Sequence, residues 1–265
     1  MELVIIMKEV TEMFKLIKYE YRKDLPLYII ILSVIVALAG YLAISIIAKS
    51  NINIGISTIL YMLGGWGAVM FIMVIGVISY AREINSRTSY MSFMAPVTTF
   101  EIVGAKYISF MITTVVATSI YVAFAYMNIT LALSQFEEIH DMAELIDYIL
   151  VYYETDLIEI FATFAGILFT IWLTILLTVN YAYLAITLSS TILANKRGKA
   201  WLAIGLFVGI RMVTSMIEYF IPKFEFGTSF TEILLSNWLV YAFELMIIIG
   251  TYFGISMMLK KRVSL

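Results

Sequence analysis

Three charged residues stand where charge is expensive. Arg211 and Glu218 interrupt one long apolar run, and Glu244 interrupts the next. A charge at the centre of a bilayer costs about 2.5–3.5 kcal/mol on insertion scales, so such residues pair with one another, face water or serve transport. Arg211 and Glu218 are seven apart and share one helical face. Counted from the inner ends of the two helices, near Trp201 and Leu259, Glu244 falls level with residue 216, between the other two. One helical turn is about 5.4 Å, within reach of an arginine side chain. A structural ion-pair cluster is the favoured reading, with a direct role in substrate passage or proton movement as its alternative.

Other reactive groups are scarce. The chain has no cysteine, which excludes disulfides, thiol catalysis, Cys-ligated zinc and iron–sulfur clusters, and its single histidine, His140, cannot by itself assemble a histidine metal site. An intramembrane protease would need a Ser–His pair, an Asp pair or zinc. His140 falls between apolar runs, and no aspartate lies within one. The phosphate-binding pattern G-x-x-x-x-G-K-[ST] is missing, so energy from nucleotide would have to come from another polypeptide. No enzyme activity, metal or cofactor is expected of this chain alone.

The elements that carry these residues are membrane spans. Apolar residues make up 62% of the 265, charged residues only 14%, and the mean hydropathy is +0.97; soluble domains have roughly 45–50% and about 25%. A spanning helix needs about 20 apolar residues. Six windows qualify, at about 26–48, 57–80, 107–133, 157–184, 201–221 and 237–259. They predict an all-α membrane protein with one transmembrane domain over 1–265. The N-terminus, with Lys8, Glu9, Glu12, Lys15 and Lys18, lacks the pattern of a removable signal peptide.

Cytoplasmic loops carry the excess of Lys and Arg. Lys8, Lys15, Lys18, Arg22 and Lys23 precede the first window; Arg82, Arg87 and Lys106 follow the second; Lys196, Arg197 and Lys199 follow the fourth; Lys260, Lys261 and Arg262 follow the sixth. Only Lys49 and Lys223 fall on the other side. Both termini are expected in the cytoplasm, in the cell membrane. The outward loop between the third and fourth windows is acidic, and its apolar residues from Phe136 through Ile139, Ala143, Ile146, Leu150 and Tyr153 to Leu157 and Ile160 recur at three and four. That spacing predicts an amphipathic helix, either resting on the protein's own outer face or acting as a gate or partner contact on the exit side. Met7–Lys23 carries Val10, Met13, Phe14, Ile17 and Tyr21 on one face, which predicts an N-terminal amphipathic helix in the cytoplasmic interface, its lysines toward anionic headgroups.

Small and aromatic residues suggest packing. Gly205-x-x-x-Gly209 and Gly250-x-x-x-Gly254 fall at similar depth and predict close approach of the fifth and sixth spans, while Gly64, Gly65 and Gly67 predict close packing or bending in the second. Tyr28, Tyr80, Tyr107, Trp201 and Trp238 lie near window ends and read as interfacial anchors.

The cytoplasmic loop from Arg82 to Lys106 is the most patterned. It reads as a short helix broken at Pro96 and restarted by Thr98 or Thr99 as N-cap, with Glu101 in the first turn. Glu83, Arg87-Thr88, the stretch Tyr90–Met94, Pro96-Val97-Thr98, Glu101-Ile102 and Lys106 together resemble the loop between spans two and three of ABC-2-type exporter permeases. Thr99, where many of those proteins carry a basic residue, departs from the pattern. The resemblance implies a coupling helix seated on a cytosolic ABC ATPase, with Glu83, Arg87, Thr88, Tyr90, Met91, Met94 and Pro96 as contacts. It further implies ATP and Mg on that partner and a second permease subunit, the same chain or a homologue. Membrane lipids are the other expected partner, and nucleic acid is not one. The expected function is export of hydrophobic or amphipathic compounds, antimicrobial or toxin-like peptides first. Polysaccharide, lipid, drug or ion transport, or a non-transporting sensor or scaffold, are the alternatives.

Overall fold

The structure, a computed structural model, describes residues 2–85, 98–135, 157–193, 198–222 and 237–263. Among them the backbone forms six helices: α1 (Glu2–Ile47), α2 (Asn51–Asn85), α3 (Thr99–Leu133), α4 (Leu157–Ile192), α5 (Lys199–Phe220) and α6 (Trp238–Val263). Each contains a stretch long and apolar enough to cross a membrane. The chain is a multi-pass, all-helical membrane protein. Helices suit that role because each satisfies its own backbone polar groups where no water can.

Each of the six windows falls within one of these helices, overhanging it by no more than a residue, but several helices run further. α2 continues to Asn85, α3 begins at Thr99 and α4 ends at Ile192. At about 1.5 Å per residue a 35-residue helix exceeds the hydrocarbon core of about 30 Å, so its ends stand in the interface or the helix tilts.

α1 departs from the expected two pieces. In place of a surface helix followed by a span from Pro26, Glu2–Ile47 is one helix with Pro26 inside it. Proline removes the hydrogen bond to the carbonyl of Arg22. The loss falls beside Arg22 and Lys23, at the polar end of the apolar run, where water or headgroups can satisfy the freed carbonyl. The outer-loop stripe lies outside the described residues up to 156, and its last members, Leu157 and Ile160, open α4.

The chain divides into two compact units. One comprises Ile17–Ile75 and Tyr107–Leu157. Its core joins Ala39, Leu42 and Ile46 of α1 to Tyr61 of α2, with Tyr121, Phe124 and Ala125 of α3 packed against them. Tyr61 and Tyr121 stack at 4.5 Å, and each hydroxyl donates to the other's backbone carbonyl, at 2.6 and 3.4 Å. Glycine makes room for this lock. A Cβ on Gly65 would lie 2.7 Å from the Tyr121 ring, and one on Gly64 would overlap Leu38 Cδ1, whereas Gly67 faces open space.

The other unit comprises Met1–Leu16, Gly76–Lys106 and Ile158–Leu265. Here Tyr80 is not the expected interfacial anchor. It is buried against Tyr183 of α4 at 4.0 Å, its hydroxyl shares a hydrogen bond with Thr187 at 2.7 Å, and Tyr183 donates to the carbonyl of Gly76 at 3.3 Å. α6 is held to α4 by Asn180 Nδ2, which donates to the carbonyl of Ile248, and by the Thr170–Tyr241 hydroxyl pair. Without a hydrophobic driving force between helices in lipid, such polar contacts and close packing hold spans together. The glycine stripes do not serve that end: a Cβ at Gly205, Gly209, Gly250 or Gly254 would meet nothing within 4 Å.

Candidate functional site

The patterned loop is described at its two flanks, and both belong to the same unit. On the α2 side Glu83 turns inward and forms an ion pair with Lys106 of α3. Their side chains are 13% and 6% exposed. Charges this buried are stable only as partners, because each alone would keep its desolvation penalty. The pair brings residues 23 apart in sequence into contact.

On the α3 side the restart is a capping box. Thr98 Oγ1 accepts from the backbone N–H of Glu101 at 3.3 Å, and Glu101 Oε2 accepts from the Thr98 N–H at 2.5 Å. Two orphan donors of the first turn are thereby satisfied. Thr98 is the N-cap and Thr99 the first helical residue, which frees Thr99 Oγ1 to donate to the carbonyl of Ser256 on α6 at 3.2 Å. Tyr252 of α6 donates to the carbonyl of Phe100 at 2.8 Å, passing Gly104, where a Cβ would stand 3.2 Å from the hydroxyl. α3 therefore starts from a fixed point. Arg87, Thr88, Tyr90, Met91, Met94 and Pro96 lie outside the described residues.

The intramembrane charges gather in the same unit. Arg211 Nη1 donates to Glu218 Oε1 at 3.3 Å, along one face of α5, and Glu244 of α6 lies within electrostatic reach of both. The closed pair is thus within α5. Buried Tyr181 of α4 lies within electrostatic range of the same three charges, near buried Thr214 of α5. Thr214 donates back to the carbonyls of Ile210 and Arg211 and so keeps its own hydroxyl satisfied. The cluster holds two carboxylates and one guanidinium. Its members interact as charges of opposite and like sign at one place in the unit.

No family model, characterised protein or solved structure matches this chain.

Sequence reasoning placed the three intramembrane charges at one depth and the N-cap at Thr98 or Thr99. It missed Tyr181, whose one signal was the polar pair Asn180-Tyr181 inside an apolar run. It also gave Glu83 and Lys106 separate roles. A charge of each sign at the facing ends of consecutive spans was the available clue.

Proposed function

We propose that the chain is the transmembrane subunit of an ATP-driven exporter of the ABC-2 type, moving hydrophobic or amphipathic compounds, membrane-active peptides first among them. The observation that carries this reading is the pinned loop. Glu83–Lys106 closes its base, the Thr98–Glu101 box and α6 fix its exit, and the residues between bear the pattern of a coupling helix. A loop so anchored transmits a push from a cytosolic partner into α2, α3 and α6 as rigid bodies, where a loosely tethered one would absorb it.

On this reading both termini and the Glu83–Lys106 loop face the cytoplasm of the cell membrane. A separate ABC ATPase supplies ATP and Mg, and a second permease, a copy or a homologue, completes the path. Arg211 supports the second permease: its side chain is 41% exposed on a membrane-spanning helix, where a guanidinium needs protein or water beside it. The outer segment before Leu157 would lie along the outer membrane surface.

The test is affinity purification of the chain from its native host in mild detergent. An ATP-hydrolysing subunit is expected to come with it, and its turnover should rise several-fold when an amphipathic helical peptide is added to the reconstituted pair. A chain that purifies without any nucleotide-binding partner, from membranes where it is functional, would remove the exporter reading.

A further inference from the structure

The unit built from Ile17–Ile75 and Tyr107–Leu157 contains an apolar cleft of about 120 Å³ that none of the foregoing uses. α1 forms one wall through Tyr21, Tyr28 and Leu32, α3 the other through Thr113 and Ala117, and Ile72 of α2 closes the floor. Along α1 the cleft runs from Tyr21 to Ile35, a rise of about 21 Å at 1.5 Å per residue. That is close to the depth of one leaflet, about 15 Å of hydrocarbon plus part of the headgroup zone. It is open on the lipid side: Leu25, Ile29 and Leu32 are 38, 54 and 37% exposed.

Polarity is confined to the half of the cleft between Tyr21 and Tyr28, and the half from Tyr28 to Ile35 is apolar. The Tyr21 and Tyr28 rings lie 5.7 Å apart, and the Tyr28 hydroxyl is within hydrogen-bonding reach of Thr113. Phenols with an apolar body and a wet tip settle at the headgroup boundary. Toward the N-terminus the same face of α1 continues as Lys18, Tyr21, Arg22 and Leu25, at spacings of three and four, with Lys18 and Arg22 exposed. Acidic residues are present too. Glu20 pairs with Lys23 at 3.9 Å, and buried Asp24 lies near Tyr28. With Lys15, the positive charges on this turn and its neighbours still outnumber the negative ones.

We propose that this cleft is a binding site for an anionic phospholipid, one acyl chain lying between α1 and α3 and the phosphate held by Lys18, Arg22 and the Tyr21 hydroxyl. The cleft's length along α1, its one-ended polarity and its excess of basic residues at that end select this ligand over a soluble small molecule, which would need polar groups along the cleft. The inference needs only that the chain spans a membrane; it stands or falls apart from the exporter reading.

The experiment uses the full chain, purified in mild detergent and equilibrated with mixed micelles of equal phosphatidylglycerol and phosphatidylcholine, with retained lipid counted by native mass spectrometry. The wild type is expected to retain phosphatidylglycerol preferentially. Each basic residue near an anionic surface contributes about a five-fold preference, so Lys18→Gln with Arg22→Gln should lower it by roughly 25-fold. Lys260→Gln with Lys261→Gln, at the far end of the chain, should leave it unchanged. Ala117→Phe, which fills the cleft, should abolish retention. Should that variant fail to fold, Val116→Trp at the exposed wall gives a second reading: brominated-chain phosphatidylglycerol should quench it more than brominated phosphatidylcholine. Equal retention of the two lipids by the wild type, equal loss from the Lys260/Lys261 variant, equal quenching by the two brominated lipids, or full retention by a folded Ala117→Phe protein would overturn the proposal.

Discussion

Replacing Glu83 by Gln leaves the Lys106 ammonium without its counter-ion in a site where the side chain is 6% exposed. Removing one member of a buried pair costs about 3–5 kcal/mol, and the lower end applies here because Glu83 is 13% exposed, with some access to water. At about 1.4 kcal/mol per tenfold, a loss of about 3 kcal/mol lowers the folded-to-unfolded ratio more than a hundredfold. Lys106→Met should cost a similar amount, since it strands the carboxylate instead. Changing both, Glu83→Met with Lys106→Met, removes both desolvation penalties along with the attraction, and should lie within about 1 kcal/mol of the wild type. The assay is reversible unfolding in mixed micelles, followed by far-ultraviolet circular dichroism and by fluorescence of the four tryptophans. The double variant must fall short of the sum of the singles by at least about 2 kcal/mol. Additive losses would show that the two side chains act independently, and the closed base of the loop would have to be abandoned.

Two further outcomes follow from the packing. Gly65→Ala should destabilise by about 1–3 kcal/mol in the same assay, because its Cβ meets the Tyr121 ring at 2.7 Å, while Gly67→Ala, in open space, should stay within about 0.5 kcal/mol. Arg211→Met should reduce the amount of inserted protein more than Arg211→Met with Glu218→Gln does, measured by quantitative blotting of membranes, because the single change leaves Glu218 uncompensated beside Glu244.

Length and hydropathy made the six spans legible, since the bilayer imposes one demand on every helix. The start of α3 was legible for a local reason: Thr98 and Glu101 stand at capping-box spacing, and a cap needs no tertiary contact to form. Contacts between helices were far less so. Tyr80 reads as an interfacial anchor by position, yet it meets Tyr183 and Thr187, more than a hundred residues away, and nothing in its own neighbourhood announces them. The Gly205 and Gly250 stripes mark surfaces smooth enough for a close neighbour without naming one, and α6 is held to α4 through Asn180 and Thr170. The fusion of the N-terminal stretch with the first span was not legible either, because Pro26 stands between them. Its rule against helix interiors weighs a lost hydrogen bond, and at the polar edge of a span that bond is replaced by solvent.

Because the chain has no cysteine, each one introduced is the sole thiol it carries, which makes crosslinking the sharpest test of the coupling assignment. Arg87→Cys, Tyr90→Cys, Met91→Cys and Met94→Cys, expressed singly with the copurifying ATPase, should each be tested with a short bifunctional reagent in native membranes. At least two of the four should form a covalent adduct with the ATPase, with yields that change between the nucleotide-free and nucleotide-bound states, while Glu144→Cys in the outer loop forms none and is labelled by an impermeant maleimide on intact cells. Labelling of Tyr90→Cys from outside the cell, or failure of all four positions in a complex that still hydrolyses ATP, would contradict the account.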